Sequence, residues 1–452
     1  MNIVIAGDGE VGSYLAKMLT GKDHNITFIS PQKDLLDALD SHSDLMTVYG
    51  SSTSIRILKD AGIESADLVA GVVHDERENI LTCLLAKSLG AKKAIARISS
   101  LEYLREKNLD IFQNHGIDAL ICPERIAANE CIDLISQSAA TEVYDFSGGK
   151  LSLLVFHIDD NSEMVGKNIN DVYEDFHLAG DCKVMSVSRN SYAFIPNEHE
   201  QFMAGDFVYT AIKPKGKKNI IEAIGSQNDE IHNVMLVGGG RIARMMMRDL
   251  PNINFTVIEI DNEKCNMLAD EFGSNVLVIN GDAREVELLE DEYIKDMNAF
   301  VAITNNSETN IMTGLLAKRF GVKKVIALME NMEYIDLAQR FGIDSIINKK
   351  LITASYTTRY TLDAEVSDIK FLSGIDAEVL EISAKAGSPV TRKPISHIQL
   401  PYGAIIGGIV RGYESHIATP DFQIREGDKV MVLCLSGTVE HVIKYFNKKL
   451  LF

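Results

Sequence analysis

The chain has 452 residues, of which 46% are hydrophobic and 24% charged, and its formal net charge is −19 at pH 7. This composition predicts a soluble globular protein of roughly three or four domains, and the acidic charge argues against a nucleic-acid partner, because phosphate backbones are bound by clustered Lys and Arg. No run of about eighteen apolar residues and no signal peptide is visible, so we expect a cytoplasmic protein.

Short apolar runs and helical patterns alternate over roughly the first 135 residues. The predicted strands cover residues 3–6, 26–29, 46–49, 68–73, 93–98 and 119–122. The predicted helices cover residues 12–19, 34–39, 54–61, 79–89, 102–108 and 124–138. Alternation of this kind predicts an α/β domain with a parallel sheet and helices on both of its faces.

After residue 142 the pattern changes to short alternating runs separated by turn residues, which is typical of a small α+β domain. Residues 214–230, with Pro214, Gly216 and Gly225, are predicted to form a linker. The second half then repeats the plan of the first. We predict Rossmann-like domains at 1–138 and 231–358, each followed by a small α+β domain, at 139–225 and 365–452.

A glycine-rich turn occurs twice, 231 residues apart, starting at Gly7 and at Gly238. Each copy fits the G-x-G-x-x-G/A pattern, follows a short apolar strand and opens a helix, which is the context of a dinucleotide-binding fold. Residues 84–93 (LLAKSLGAKK) match 315–324 (LLAKRFGVKK) at the same spacing. The chain is therefore predicted to be a duplication.

The second copy has a nearly complete set of nucleotide-binding features. The glycines allow a pyrophosphate to approach the helix N-terminus, and Glu259, at the end of the second strand, can accept hydrogen bonds from ribose hydroxyls. Polar or small residues also end the third and fourth strands. The residues predicted to bind NAD(H) are Gly238, Gly239, Gly240, Arg241, Ile242, Glu259, Asp282, Ala283, Thr304 and Asn305. The alternative is that these residues serve packing alone.

The first copy departs from this pattern, because Ser30 aligns with Glu259. A hydroxyl cannot replace a bidentate acceptor, so this half should bind NAD less well than the second half does. ATP or ADP should lose less affinity if phosphate contacts dominate. Arg97 is the candidate phosphate partner, where the second half has Leu328. The candidate residues are Gly7, Asp8, Gly9, Glu10, Val11, Gly12, Ser30, Ser51, Ser52, Val73, His74 and Arg97. The alternative is a structural pseudo-site.

Several motifs resemble those of the tandem RCK (regulator of K⁺ conductance, or KTN) family, the peripheral subunits of Trk potassium uptake systems. They are TNNSETNI at 304–311, IARI at 95–98 and PYGAIIGGIVRG at 401–412. The resemblance covers essentially the whole chain and implies two Rossmann-like RCK N-domains, each followed by a small α+β RCK C-domain. It further implies a non-catalytic subunit that binds NAD(H) and ATP or ADP and gates a TrkH-like membrane K⁺-translocating subunit. That partner would hold the protein at the inner face of the membrane. The resemblance also implies a homo-oligomer, with four chains forming a ring.

The resemblance also bears on single residues. Where Arg241 stands, related regulators use an arginine to reach a neighbouring subunit's terminal phosphate, whereas the first half has Glu10. Glu10 would repel phosphate unless it points away or is paired, and both residues are equally typical of a solvated helix start. Glu124 matches a family position that helps to bind a divalent cation, and Lys350 takes that place in the second half. A glutamate at a helix start needs no metal, since it favours the positive end of the dipole.

An alternative function is an NAD-dependent oxidoreductase with duplicated Rossmann domains. Such an enzyme needs a general base or a substrate clamp near the nicotinamide. The sequence offers no positioned group of His, Lys and Asp residues in the two small domains. A regulatory role is therefore the prediction.

Overall fold

The structure is a computed structural model of the chain. It describes residues 1–20, 24–42, 44–137, 139–190, 192–224, 231–273, 276–362, 365–435 and 437–447. These residues form four sheets, two of six strands and two of five. None of the helices within the described ranges is long and apolar enough to cross a membrane.

The first sheet is parallel, with the strand order β3-β2-β1-β4-β5-β6. Its strands are β1 (Asn2–Ala6), β2 (Asn25–Ser30), β3 (Met46–Tyr49), β4 (Leu68–Gly71), β5 (Lys93–Arg97) and β6 (Ala119–Ile121). The central strands are buried on both faces, as their continuous apolar sequences require. The strand order reverses between β1 and β4, and in open sheets of this type ligands bind at the carboxyl ends of the strands beside such a point.

Helices connect these strands, and one of them begins at a capping side chain. The helices are α1 (Glu10–Thr20), α2 (Lys33–His42), α3 (Ile55–Asp60), α4 (Glu76–Leu89), α5 (Glu106–Asn114) and α6 (Pro123–Ser136). The Asp75 side chain caps α4 by accepting the Arg77 N–H. The prediction of one helix over 102–108 is wrong, because a 3₁₀ turn at Leu101–Leu104 precedes α5. Residue 138, the predicted end of α6, lies outside the described residues.

The second parallel sheet repeats the first, in the order β14-β13-β12-β15-β16-β17. Its strands are β12 (Asn233–Val237), β13 (Asn254–Glu259), β14 (Val276–Asn280), β15 (Ala299–Ala302), β16 (Lys324–Leu328) and β17 (Ser345–Ile347). Its helices are α9 (Arg241–Asp249), α10 (Asn262–Phe272), α11 (Val286–Asp291), α12 (Ser307–Arg319), α13 (Tyr334–Arg340) and α14 (Lys349–Thr358). The cap of α12 is Asn306, which matches Asp75 in the first half.

The two small sheets are antiparallel and share one topology. The first contains β7 (Glu142–Phe146), β8 (Leu151–His157), β9 (Cys182–Arg189), β10 (Tyr192–Phe194) and β11 (Phe207–Ile212), with α7 (Ile169–Asp175) and α8 (Lys217–Ile224). The second contains β18 (Val366–Phe371), β19 (Ala377–Ser383), β20 (Ala404–Arg411), β21 (Glu414–Ile417) and β22 (Lys429–Leu435), with α15 (Val439–Phe446). The strand orders are β10-β9-β11-β8-β7 and, read from the other edge, β21-β20-β22-β19-β18.

A matching ion pair shows that the small domains are also copies of each other. The Arg189 guanidinium binds the two carboxylate oxygens of buried Asp206, each at 2.8 Å. Arg411 binds Asp428 in the same way, at 2.8 and 2.6 Å. The two pairs hold equivalent strands to the turns that precede β11 and β22.

The prediction that 214–230 form a linker is wrong in its first part. A 3₁₀ turn at Pro214–Gly216 leads directly into α8. Gly216 is buried, and a Cβ atom there would lie 3.0 Å from the Asp181 carbonyl oxygen, so the glycine allows close packing. Residues 225–230, which include the predicted Gly225, lie outside the described residues.

Two compact units can be distinguished, one formed by residues 1–127 and 349–362 and the other by 128–348 and 363–452. In the first unit, α14 packs against α1, and the Lys93 ammonium donates to the Tyr360 carbonyl just beyond α14, at 3.1 Å. In the second unit, the matching Lys324 donates to the Ala140 carbonyl beyond α6. Burial lowers the pKa of Lys324 to about 8.

In the second unit the two small sheets share one hydrophobic core, to which β8, β9, β11, β19, β20 and β22 contribute. Two glycines of β20 allow this close approach. A Cβ atom at Gly407 would lie 2.3 Å from the Met185 sulfur, and one at Gly408 would lie 2.7 Å from a Leu151 methyl carbon. The glycine pair therefore serves packing between the sheets.

Candidate nucleotide-binding sites

A cavity of about 440 Å³ lies at the carboxyl ends of β12, β13, β14 and β15 in the second parallel sheet. This is the place where parallel sheets of this order bind their ligands, and the volume is within the range of small-molecule sites. The lining residues are Val237, Gly238, Gly240, Ile258, Glu259, Ile260, Lys264, Gly281, Asp282, Ala283, Arg284, Ile303, Thr304, Asn305, Asn306 and Thr309.

The glycine-rich turn forms one wall of this cavity, and its three glycines differ in what a Cβ atom would contact. Gly238 has φ +100°, and a Cβ atom there would lie 3.2 Å from the backbone of Ile303. A Cβ atom at Gly239 would lie 2.3 Å from a Leu268 methyl carbon. A Cβ atom at Gly240 would meet nothing within 4 Å. Gly240 therefore faces open space at the start of α9, where a phosphate group would approach the helix N-terminus.

Glu259 is a buried carboxylate in the lining of the cavity, with 7% of its surface exposed. Its Oε2 accepts the Gly239 N–H at 2.8 Å, and its Oε1 accepts the Asp261 N–H at 3.0 Å. Each carboxylate oxygen can accept a second hydrogen bond, so the group is held in place with acceptor capacity left for a ligand's hydroxyls.

The cavity is also lined by two cationic side chains that the sequence analysis did not predict, Arg284 and Lys264. Arg284 binds the Asp282 carboxylate through Nε at 3.0 Å and Nη2 at 2.6 Å, and this contact lowers the pKa of Asp282. Lys264 lies on the first turn of α10, with its ammonium 3.8 Å from Asp261. Arg284 could have been predicted from the sequence, because it directly follows Asp282 and Ala283, which were predicted to lie at a strand end.

Three of the residues predicted for this site do not line the cavity. Gly239 contributes only its backbone N–H to Glu259, and Ile242 is buried in the core. Arg241 is exposed at the start of α9. The other seven predicted residues do line it, namely Gly238, Gly240, Glu259, Asp282, Ala283, Thr304 and Asn305.

The first glycine-rich turn is bridged to the end of the fourth strand by a side chain. Asp8 accepts the His74 backbone N–H at 3.0 Å, and its Oδ1 lies 2.8 Å from the His74 Nδ1. A Cβ atom at Gly9 would lie 2.8 Å from the same imidazole ring, and one at Gly7 would lie 2.9 Å from the Phe28 ring. The second half has Gly239 in place of Asp8 and therefore has no such bridge.

Matching backbone hydrogen bonds confirm that Ser30 takes the place of Glu259. The Gly50 N–H donates to the Ser30 carbonyl, as the Gly281 N–H donates to that of Glu259. The buried Ser30 hydroxyl accepts the Gln32 N–H at 3.2 Å. No carboxylate therefore ends the second strand in the first half.

Ser51, Ser52 and Val73, which were also predicted for the first site, form hydrogen bonds within the same unit. The Ser51 hydroxyl lies 2.8 Å from that of Thr53, and buried Ser52 pairs with Thr82 at 2.8 Å. Val73 donates its backbone N–H to Asn79. Val11 and Gly12 continue α1 after the turn, and Glu10 begins it.

Arg97 and Glu124 form an ion pair, with 3.3 Å between Nη2 and Oε1. The second carboxylate oxygen of Glu124 is buried and accepts no hydrogen bond. No group of three or more His, Cys, Asp or Glu side chains in the described ranges is placed to hold a metal ion. Metal binding by Glu124 stays a prediction.

Comparison with known proteins identifies the family. Residues 3–123 and 234–349 match the TrkA-N domain, and residues 379–447 match the TrkA-C domain. The chain belongs to the TrkA family. A Trk system potassium uptake protein TrkA homolog 1 from Methanosarcina mazei is 31% identical over 457 residues, which cover 99% of this chain and all of the relative. The TrkA protein of Haemophilus influenzae is 32% identical over 461 residues, covering both chains completely.

Solved structures with the same fold include an RCK domain and a channel. The GsuK RCK domain aligns with a TM-score of 0.62 at 17% identity, over 97% of this chain and 93% of that one. The GsuK channel bound to NAD aligns with a TM-score of 0.61 at 16% identity, over 98% and 78%. This TrkA-family chain therefore has the tandem RCK fold that its sequence motifs implied.

One further pair of residues in this TrkA-family chain was not predicted, although it supports both sites. Asn310 is fully buried; its amide group donates to the Thr304 and Leu328 carbonyls, and its oxygen accepts the Thr304 N–H. Asn79 makes the same three contacts with Val73 and Arg97. Each asparagine thus ties the end of the fourth strand to the end of the fifth. The sequence could have predicted a shared role for Asn79 and Asn310, because they occupy matching positions in the two repeats.

Proposed function

We propose that the chain is the cytosolic regulatory subunit of a Trk-type potassium uptake system. It binds NAD(H) in the cavity of the second parallel sheet and ATP or ADP at the first glycine-rich turn, and it gates a TrkH-like membrane subunit that translocates K⁺. The observation that carries the proposal is Glu259, a buried carboxylate fixed by two backbone N–H groups in the cavity lining. Its geometry suits the two adjacent hydroxyls of a ribose.

The names of related proteins support this assignment. Full-length relatives are Trk system potassium uptake proteins. The GsuK channel has been solved with NAD, and a further GsuK structure with ADP aligns at a TM-score of 0.50 and 14% identity. The residues proposed to bind nucleotide are those predicted from the sequence, except that in the second site Gly239, Arg241 and Ile242 are left out and Lys264 and Arg284 are added.

A nucleotide can gate the partner only through different affinities for two conformations of the subunit. In the second site, Glu259 belongs to β13 and Thr304 follows β15, so one ligand would contact the ends of two strands. A change in the spacing of these strand ends would change the affinity. The cytosolic subunit would act at the inner face of the membrane, where its partner lies.

Exposed apolar side chains at matching positions favour assembly of several copies. Leu81 on α4 and Met312 on α12 are equivalent, and so are Ile111 on α5 and Leu337 on α13. Each has 45% or more of its surface exposed. Since these helices carry the same feature in both repeats, we propose that they contact further copies of the chain in a ring, with four chains as the expected number.

Replacement of Glu259 by Gln tests the second site. We expect NADH affinity to fall by about tenfold to a hundredfold, because a charge-assisted acceptor contributes roughly 1.5–3 kcal/mol and an amide cannot accept at both ends. Calorimetry with the full chain measures this. Ser30→Ala is the matched control in the first half and should leave NADH binding unchanged. Equal NADH affinity in Glu259→Gln and the parent chain would contradict the assignment.

Flux through a reconstituted system tests the function itself. The full chain and its membrane partner are placed in K⁺-loaded vesicles, and K⁺ efflux is followed with and without NADH, ADP and ATP. We expect the nucleotides to change efflux only when the chain is present. An NAD-dependent oxidoreductase would instead consume NADH in the presence of a suitable oxidant and leave efflux unchanged.

A further inference from the structure

We propose that Lys350 is a phosphate-binding residue of the first nucleotide site, contributed by the second half of the chain. Its ammonium group pairs with Glu10, at 2.5 Å from Oε2. With ADP or ATP bound, the terminal phosphate takes the place of the Glu10 carboxylate. This inference rests on the function proposed above and adds a residue that belongs to neither glycine-rich turn.

The position of Lys350 is set by helix packing within the first unit. Lys350 is the second residue of α14, and α14 packs against α1. Glu10 is the first residue of α1 and directly follows Gly9 of the glycine-rich turn. The ammonium group therefore lies beside the helix start at which a phosphate is expected to bind.

The burial of the two partners is unequal, and this decides which of them moves. Lys350 has 8% of its surface exposed, whereas the Glu10 side chain is 73% exposed. Withdrawing an anion from a buried ammonium costs more than returning an exposed carboxylate to water. A phosphate that approaches the turn can therefore displace Glu10 and keep Lys350 paired.

The charge of the turn gives a second reason for a separate cation. The first turn carries Asp8 and Glu10, where the second turn has Gly239 and Arg241. Two carboxylates beside a phosphate site repel the ligand unless each is held by a hydrogen-bond donor or a cation. His74 contacts Asp8 at 2.8 Å, and Lys350 neutralises Glu10. Lys350 thus places a positive charge beside the first turn, whereas the second turn carries a cation, Arg241, in its own sequence.

The same geometry identifies the class of ligand. Ser30 ends β2 with a buried hydroxyl that already accepts the Gln32 N–H, so the ribose lacks the acceptor that Glu259 provides in the other half. Binding must then depend on phosphate contacts. A nucleoside di- or triphosphate has a terminal phosphate of higher charge than the bridging groups of NAD, and it is the ligand that a buried ammonium favours.

The experiment uses the full chain with the second site blocked by Gly240→Asp. A side chain at this position meets no protein atom within 4 Å of its Cβ, so the variant should fold while its carboxylate opposes a phosphate in the second site. ADP, ATP, AMP and NADH are then titrated by calorimetry. In this background, we expect Lys350→Met to weaken ADP and ATP binding by about tenfold or more, corresponding to one charge-assisted contact. Lys350→Arg should stay within about threefold of the parent.

Two further variants keep the test decisive. Lys349→Met removes the same charge from the neighbouring residue of α14 and should leave ADP affinity unchanged. Glu10→Gln removes the internal competitor, so it should tighten ADP binding by several-fold while Lys350 stays in place. AMP should be much less sensitive than ADP to both changes.

The outcomes separate this inference from the proposed function. Equal ADP affinity in Lys350→Met and the parent overturns the role of Lys350, and so does an equal loss in Lys349→Met, which would indicate a general charge effect. Weaker binding in Glu10→Gln overturns the exchange of partners. Absence of any nucleotide binding in the chain without substitutions would instead contradict the proposed function.

Discussion

The cost of removing both charges from water limits the stability that the Arg97–Glu124 ion pair contributes, since each side chain is only 12% exposed. The pair has a single contact of 3.3 Å, and one oxygen of Glu124 accepts no hydrogen bond. A buried pair with so few contacts adds little net stability, but removing one partner leaves the other charge buried and unpaired. Arg97 is therefore a structural residue, whatever its contact with nucleotide.

Arg97→Ala should lower the free energy of unfolding by about 2 kcal/mol, because Glu124 loses its cation. The double variant Arg97→Ala with Glu124→Gln should recover most of this loss, since no unpaired charge remains. Urea denaturation measures both values. Arg77→Ala is the control, because the Arg77–Asp75 pair is exposed and its removal should leave stability unchanged.

The same double variant separates stability from binding. If Arg97 also binds phosphate, as the sequence analysis predicted, the stable double variant will still bind ADP more weakly than the parent chain. Full recovery of both stability and ADP affinity would remove Arg97 from the nucleotide site and leave the ion pair as its sole role.

Single residues were predictable where the repeat fixed their backbone position. The alignment of Ser30 with Glu259 followed from the spacing, and the backbone hydrogen bonds confirm it. Side-chain partners were not predictable in this way. The contacts of Arg97 with Glu124 and of Lys350 with Glu10 join distant segments, and a sequence pattern does not show which long side chains meet.

Strand ends are the elements on which both candidate sites depend, and two buried asparagines hold them. Asn310 joins the second residue after β15 to the end of β16, and Asn79 does the same between β4 and β5. Both sit on the helix that follows the fourth strand. The sheet edge is therefore fixed by a helix as well as by the strand ladder.

Replacing either asparagine by Ala leaves three backbone groups without a partner, and each such group costs about 1–3 kcal/mol when it stays buried. We expect Asn79→Ala and Asn310→Ala to destabilise the chain by similar amounts, roughly 3 kcal/mol after local relaxation. Only Asn310→Ala should also weaken NADH binding, since Thr304 lines the second cavity. Denaturation and calorimetry on both variants test this, and equal effects on NADH would contradict the assignment of the site.

Elements with a clear hydrophobic period were predictable, and those set by local packing were not. The parallel strands were found because their apolar runs are buried on both faces. The 3₁₀ turn and α8 were mistaken for a linker, since Pro214 and Gly216 are turn residues by composition. Pro214 begins the 3₁₀ turn, where it is tolerated, and Gly216 fits against Asp181.

At the scale of the whole molecule, the duplication keeps the fold while the two nucleotide sites diverge. The parallel sheets have the same strand order, and the small domains share an Arg–Asp pair. The pairing of Lys93 with Tyr360 and of Lys324 with Ala140 was not predictable, because each lysine binds the chain that follows the last helix of the other Rossmann-like domain. The sequence repeat predicts that the chain has two similar halves, but it does not predict that each lysine contacts a residue of the other half.

The divergence predicts the number of ligands per chain. Calorimetric titration of the full chain should give one NADH per chain, bound where Glu259 lies, and ADP should bind at an additional site that NADH does not saturate. Glu259→Gln should weaken NADH binding and keep that ADP site. Two equivalent NADH sites would mean that the buried Ser30 hydroxyl and the Asp8–His74 bridge do not handicap the first turn. The ratio of ligand to chain therefore decides whether the duplication produced two different sensors or one sensor twice.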